Sequence, residues 1–225
     1  MSLISRIQNR LKYGLLTRSV LLRLRKLNIT FTPYFLYLEK DLTPHDDVHT
    51  YQVERVTWDN LEHIIEYFPD PTIRLKTWRR RLDAGNSGLL LKDGDEMVGY
   101  TWASLKYCRG VAVRPLFELS EKQAYLFDMY VTDAYRGRRI APLMRQMCYA
   151  ELGGLGRTEL YSISEYFNRP ARRFKEKLGA VPVELRLGAT LFEHIRFDVR
   201  LRGFHRNLPT RWWAVSNHPD PKAIS

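Results

Sequence analysis

One stretch, Phe127-Asp128-Met129-Tyr130-Val131-Thr132-Asp133-Ala134-Tyr135-Arg136-Gly137-Arg138-Arg139-Ile140-Ala141, limits the fold more than any other part of the chain. Tyr125 to Val131 is a short run of apolar and aromatic residues, which predicts a strand. Thr132 to Gly137 is polar and turn-prone. Ile140, Leu143, Met144, Met147, Cys148 and Leu152 then recur at helical spacing, and Gly153-Gly154 stops the pattern. Pro142 falls in the first turn, where a missing N–H is harmless. The stretch reads as strand, tight basic turn and helix.

A helix that starts this way presents unpaired backbone N–H groups and the positive end of its macrodipole. A turn carrying Arg136, Gly137, Arg138 and Arg139 ahead of it suits a phosphate or pyrophosphate. A basic surface turn before an ordinary core helix has the same pattern, so these residues alone leave both readings open.

The same residues resemble the acyl-CoA-binding signature of the GNAT superfamily of N-acetyltransferases. That signature is Gln/Arg-x-x-Gly-x-Gly/Ala after a strand ending in a hydrophobic-x-Val pattern. Arg136 fills its first position and Ala141 its last, while Arg139 stands where the middle glycine is usual. The departure alters one close backbone approach to the pyrophosphate and offers a guanidinium in its place. The resemblance implies acyl-CoA contacts from Met129, Val131, Arg136, Gly137, Arg138, Arg139, Ile140 and Ala141. A second stretch, Asn168 to Ala180, has a capping Asn168, Pro170 in the first turn and Gly179 as stop. It is similar to another family pattern at Asn168, Ala171, Phe174 and Gly179, which adds Asn168 and Phe174 to the CoA contacts. Lys175 stands where many members carry the tyrosine that protonates the CoA thiolate, so that assignment fails here. Glu96 to Tyr100 resembles the second hairpin strand of the family, and the resemblance covers roughly residues 51 to 199.

The implied fold is α/β of the α+β type: a GNAT-like mixed, mostly antiparallel central sheet with helices on both faces. The sheet would splay beside the Asp128 strand to admit the pantetheine arm. The expected organisation is a basic amphipathic arm and edge strand over residues 1–43, the acyl-CoA-binding domain over 44–200, and a basic, aromatic tail over 201–225.

At 225 residues, with 44% hydrophobic and 12% aromatic side chains, the chain can bury a substantial core. A net charge of +11 favours an anionic partner: a phosphorylated cofactor, an acyl carrier protein, nucleic acid or an anionic membrane. Residues 1 to about 30 carry seven cations and no acid, with Leu3, Ile4, Ile7, Leu11 and Leu15 on one helical face. Such a helix can lie on an anionic membrane or dock an acidic partner, and it can equally pack on the domain or on a second subunit of a homodimer. Cys108 and Cys148 read as free thiols of a reducing compartment, so the expected location is cytoplasmic, with the arm peripheral to the inner face of the membrane. Nucleic acid is not the expected partner, because the Arg211-Trp212-Trp213 tail reads better as packing.

Taken in order, Phe31 to Leu38 is a strand that Pro33 marks as an edge. His45, Asp46, Asp47 and His49 lack regular ligand spacing, so no metal is expected. Tyr51 to Val56 is a strand, Thr57 an N-cap, and Leu61, Ile64, Ile65 and Phe68 the face of a helix. Ile73 to Ala84 is a second helix whose Arg79, Arg80 and Arg81 form a solvated face or line an acceptor site. Gly88 to Lys92 and Met97 to Ser104 flank the Asp93-Gly94 turn of a hairpin. Lys106 to Lys122 is an insertion of undefined shape, Glu159 to Ser164 a strand, and Val183 to Leu187 and Leu191 to Val199 two last strands joined through Gly188.

The resemblance implies acetyl transfer from acetyl-CoA, or another acyl-CoA, to a small-molecule amine acceptor without a covalent enzyme intermediate. A backbone N–H near Met129 to Val131 would hold the thioester oxygen. Asp128 is the first candidate for base or amine positioning, with Glu165 and Tyr166 second. Two rivals share the scaffold: a long-chain N-acyltransferase fed by acyl carrier protein, and a degenerate module that binds a membrane or nucleic acid.

Overall fold

The computed structural model describes residues 28–39, 51–68, 71–112 and 115–204. The basic arm, the His45 to His49 linker and the tail from residue 205 lie outside the described residues.

Strands and helices run in the order β1 (Ile29–Glu39), β2 (Gln52–Val56), α1 (Leu61–Ile65), α2 (Pro71–Asp83), β3 (Ser87–Asp93), β4 (Glu96–Ser104), β5 (Tyr107–Arg109), β6 (Pro115–Glu118), β7 (Gln123–Val131), α3 (Ile140–Gly154), β8 (Glu159–Glu165), α4 (Arg169–Lys177), β9 (Val181–Leu191) and β10 (Ile195–Gly203). Eight strands form one sheet in the order β10-β9-β1-β8-β7-β4-β3-β2, and β5 pairs with β6. In that sheet only β7 and β8 are parallel, because the chain returns between them through α3.

Side-chain alternation sends the two faces of the sheet to different partners. Leu91, Val98, Leu126 and Leu160 pack with Ile140, Met144, Cys148 and Leu152 of α3. Phe35 and Tyr37 meet Ala180 just past α4 on the same side. On the other side, Trp102 of β4 and Trp78 of α2 are both fully buried beside Ile64 and Phe68. Each such aromatic contributes about 3 kcal/mol or more over exposure. The β5–β6 hairpin covers Tyr34, Leu36 and Tyr161 on this second face. Helices therefore lie on both faces, as expected.

Three local expectations need correction, and one segment left without a shape gains one. Strand β1 is interior, between β9 and β8, and not an edge. Pro33 is tolerated because its pairing with β8 begins only at Tyr34; the Pro33 oxygen accepts from Tyr166 N just beyond the end of that strand. Gly188 is not a turn: it lies inside β9, where a Cβ would come within 2.4 Å of Val111 Cγ2. The turn is at Phe192 to His194, with Phe192 and Glu193 in the left-handed region. Asn60, not Thr57, precedes α1, and the Asn60 amide binds Glu54 Oε1 and the Arg55 oxygen while accepting from Thr57 N. The Lys106 to Lys122 segment is the β5–β6 hairpin.

Candidate active site

The site begins where one strand pair comes apart. β7 and β8 are paired only from Gln123–Glu159 to Leu126–Ser162, although β7 continues to Val131 and β8 to Glu165. The cause lies in β7. Asp128 has φ 47, and the β7–β4 register shifts between Phe127 and Tyr130. This bulge bends the strand away from β8. Thr132 N donates to Val98 O on the β4 side, so alternation turns the N–H and C=O groups of Met129 and Val131 toward the gap. Tyr166 N donates to Pro33 O on the β1 side, so Ile163 and Glu165 face the gap from β8. A slot lined by main-chain donors and acceptors results.

The phosphate end lies beyond Val131. A 3₁₀ turn over Asp133–Tyr135 leads to Gly137, at φ 81, and Arg139, at φ 61, before α3 starts. Gly137 adopts this conformation freely; Arg139 does so with strain. Arg139 sits at the N-cap without a side-chain cap, and the first turn of α3 holds no acid. A helix capped from within would carry Ser, Thr, Asp or Asn there. A guanidinium offers no acceptor, so this end of α3 suits an external anion. Arg136 points back along the strand. Its Nη1 lies 2.7 Å from Asp133 and its Nε 3.3 Å from Val131 O, and its guanidinium lies over Tyr130. A nearby open cavity of about 300 Å³ includes Asp95, Glu96 and Tyr135 in its lining. Its carboxylates make it a poor seat for a polyanion.

Asp128 faces the α2 side. Its Oδ2 lies 2.6 Å from Arg81 Nη1, an ion pair set off the axis of a good N–H···O bond. The Tyr100 hydroxyl reaches Asp128 Oδ1 at 3.5 Å and accepts from Arg74 Nη1 at 2.7 Å. Burial, then the Asp128 charge, raises the Tyr100 hydroxyl above its ordinary value. Arg81 is not part of a solvated face; its guanidinium lies over Trp102 and Phe127, whereas Arg79 pairs with Glu62 at the surface. A run of three arginines carries no sign of which one turns inward.

The α4 side of the slot holds a buried polar cluster that sequence reasoning missed. Glu39 accepts from Tyr149 and Ser162, each at 2.6 Å. Lys175 donates to Ser162 Oγ at 2.7 Å and to Ile163 O at 2.6 Å. Burial, then Arg145, pushes the Lys175 amine down to about 7, against the pull of Glu39. Burial alone would raise the Glu39 carboxyl, but Arg145, Lys175 and its hydrogen bonds hold it below its ordinary value. Arg145 is itself buried, and its Nε and Nη1 have no hydrogen-bond partner among the described residues. Two buried cations thus face one carboxylate.

The other expected site residues are spread out. Asn168 Oδ1 accepts from Ala171 N and caps α4. Phe174 is half-buried on that helix. Tyr166 stacks on Phe35 on the α4 face, and Glu165 is exposed at the open end of β8. Cys108 and Cys148 are buried and unbridged, and burial pushes the Cys148 thiol up to about 12. Neither suits a nucleophile.

The acetyltransferase (GNAT) family matches residues 50–180, more than half of the chain. No curated protein sequence matches significantly. Solved structures of similar fold include a conserved protein of unknown function from Staphylococcus epidermidis, with 10% identity and a TM-score of 0.51 over 75% of this chain and 65% of that one. An acetyltransferase of the GNAT family from Novosphingobium aromaticivorans gives 16% identity and a TM-score of 0.50 over 72% and 66%. A GNAT-family acetyltransferase from Colwellia psychrerythraea gives 11% and 0.50 over 72% and 56%. The matched region thus spans less than two thirds of those chains. This chain belongs to the GNAT acetyltransferase family. Among the described residues, no helix is long and apolar enough to cross a membrane.

Proposed function

We propose that the protein transfers an acetyl group from acetyl-CoA to the primary amine of a small molecule. The observation that carries this reading is the β7–β8 slot, with an uncapped helix start at one end and a charged bulge at the other. The α3 amides, Arg138 and Arg139 would hold the pyrophosphate, and the gap-facing main chain of Met129 and Val131 would take the pantetheine amides and the thioester oxygen. From the α3 turn back to the bulge is roughly 10 Å or more of extended strand, a span an extended arm covers.

Acyl transfer needs a neutral amine, an oriented attack and a proton for the departing sulfur. Asp128 orients the amine and passes its proton to water. The amine nitrogen bonds to the acyl carbon, and the carbon–sulfur bond breaks. Lys175, at the apex of the slot, gives its proton to the thiolate and takes up the one that the attacking nitrogen loses as the amide forms. Titration calorimetry with acetyl-CoA, followed by mass spectrometry of an amine panel, tests the reading. Micromolar binding and an acetyl adduct on an amine are expected; absence of binding would remove it.

A further inference from the structure

On the α2 side of the bulge, opposite charges are held close together. Asp128 Oδ1 and Arg74 Nη1 lie within 3.5 Å and 2.7 Å of the same Tyr100 hydroxyl oxygen. Asp128 is paired with Arg81. Arg74, half-buried, has no carboxylate at ion-pair distance among the described residues. Its guanidinium lies 4.6 Å from the Phe68 ring centre, and Tyr130 stacks on Tyr100 beneath it. A stacked guanidinium keeps its in-plane donors for a planar anion.

We infer that the acceptor is an amine carrying an adjacent carboxylate, an α-amino acid or close analogue, with Asp128 on its ammonium group and Arg74 on its carboxylate. This rests on the acetyl-transfer reading and narrows its acceptor. The two protein charges lie on the scale of the zwitterion itself. Among the described residues, Arg74 and Arg81 set against Asp128 leave the local charge positive. It therefore disfavours a polyamine or other polycation, and a carboxylate restores balance.

The test compares kcat/KM, with acetyl-CoA as donor, for an apolar amino acid, its carboxamide and the amine lacking the carboxylate. The amino acid is expected to be preferred about 10- to 100-fold, as for one charge-assisted contact. Arg74→Gln keeps a donor for Tyr100 and removes the charge; it should collapse that ratio to near unity, and Arg74→Lys should restore part of it. A merely structural defect lowers all three acceptors alike and leaves the ratio intact, which would overturn the inference. Wild-type preference for the carboxylate-free amine or a polyamine would overturn it too, while the acetyl-transfer reading stands. Failure to bind acetyl-CoA at all would remove both.

Discussion

Lys175 Nζ donates at 2.6 Å to the main-chain oxygen of Ile163, the first β8 carbonyl that faces the gap after the β7 ladder ends. The loss of a strand partner creates an acceptor in the sheet, and a buried amine fills it. The same amine then stands at the apex of the slot, held down to about 7 by burial and Arg145. Among the described residues, Glu39, Arg145, Tyr149, Ser162, Tyr37 and Cys108 are the polar and charged groups around it.

A proton donor of this kind works only while charged. Turnover should fall as pH rises through about 7, and Lys175→Met should lower kcat about 100-fold and flatten that limb. A stability measurement separates structure from chemistry. The lysine carries its proton in the unfolded chain up to its ordinary value of 10.5 but loses it near 7 when folded, so the unfolded state binds more protons between those limits. Wild-type stability should therefore rise with pH in that window, relative to Lys175→Met, by at most about 1.4 kcal/mol per pH unit. Urea melts at pH 6 and 9 check the sign; an equal difference at both would remove the buried-charge account.

Among the described residues, Glu39 is the only carboxylate that hydrogen-bonds into this cluster. Glu39→Gln leaves Arg145 and Lys175 facing each other in the core. A loss of about 3 kcal/mol or more is expected, the usual result of removing one partner from a buried ionic group. Chemical denaturation would register it as a lower midpoint, and a change below 1 kcal/mol would mean that water reaches the site.

Much of this was legible, and the parts that were not share a cause. The β7-turn-α3 unit, the Asp93-Gly94 hairpin and the Asn168 cap are local: spacing, turn residues and capping chemistry all lie within a few positions. Pro33 and Gly188 misled because their meaning depends on strands distant in sequence: Pro33 on where β8 ends, Gly188 on Val111 of the β5–β6 connection. The polar cluster was hidden for the same reason. Glu39 and Ser162 are 123 positions apart, and nothing in a helix of three arginines and two lysines announces that Lys175 is the buried one. Arg81 and Asp128 are likewise joined only by the fold.

Asp128→Asn separates orientation from support. It removes the negative charge that pairs with Arg81 but keeps an amide oxygen that can accept from Tyr100, so only about 1 kcal/mol of stability should go. Turnover should drop about 100-fold or more across the pH range, while the dissociation constant for acetyl-CoA stays within about twofold. Turnover at the wild-type level would leave Asp128 a structural residue only.

Arg139 offers two effects of opposite sign. Its φ of 61 is strained for any residue with a Cβ, so Arg139→Gly should stabilise the fold by about 1 kcal/mol. The same change removes a guanidinium from an uncapped helix start where the pyrophosphate is expected. Acetyl-CoA affinity should fall about tenfold, with a weaker salt dependence of binding. A variant that melts higher and binds more weakly identifies Arg139 as a residue kept in a costly conformation for its ligand. One that melts higher and binds equally well shows that the backbone amides of α3 hold the phosphates without it.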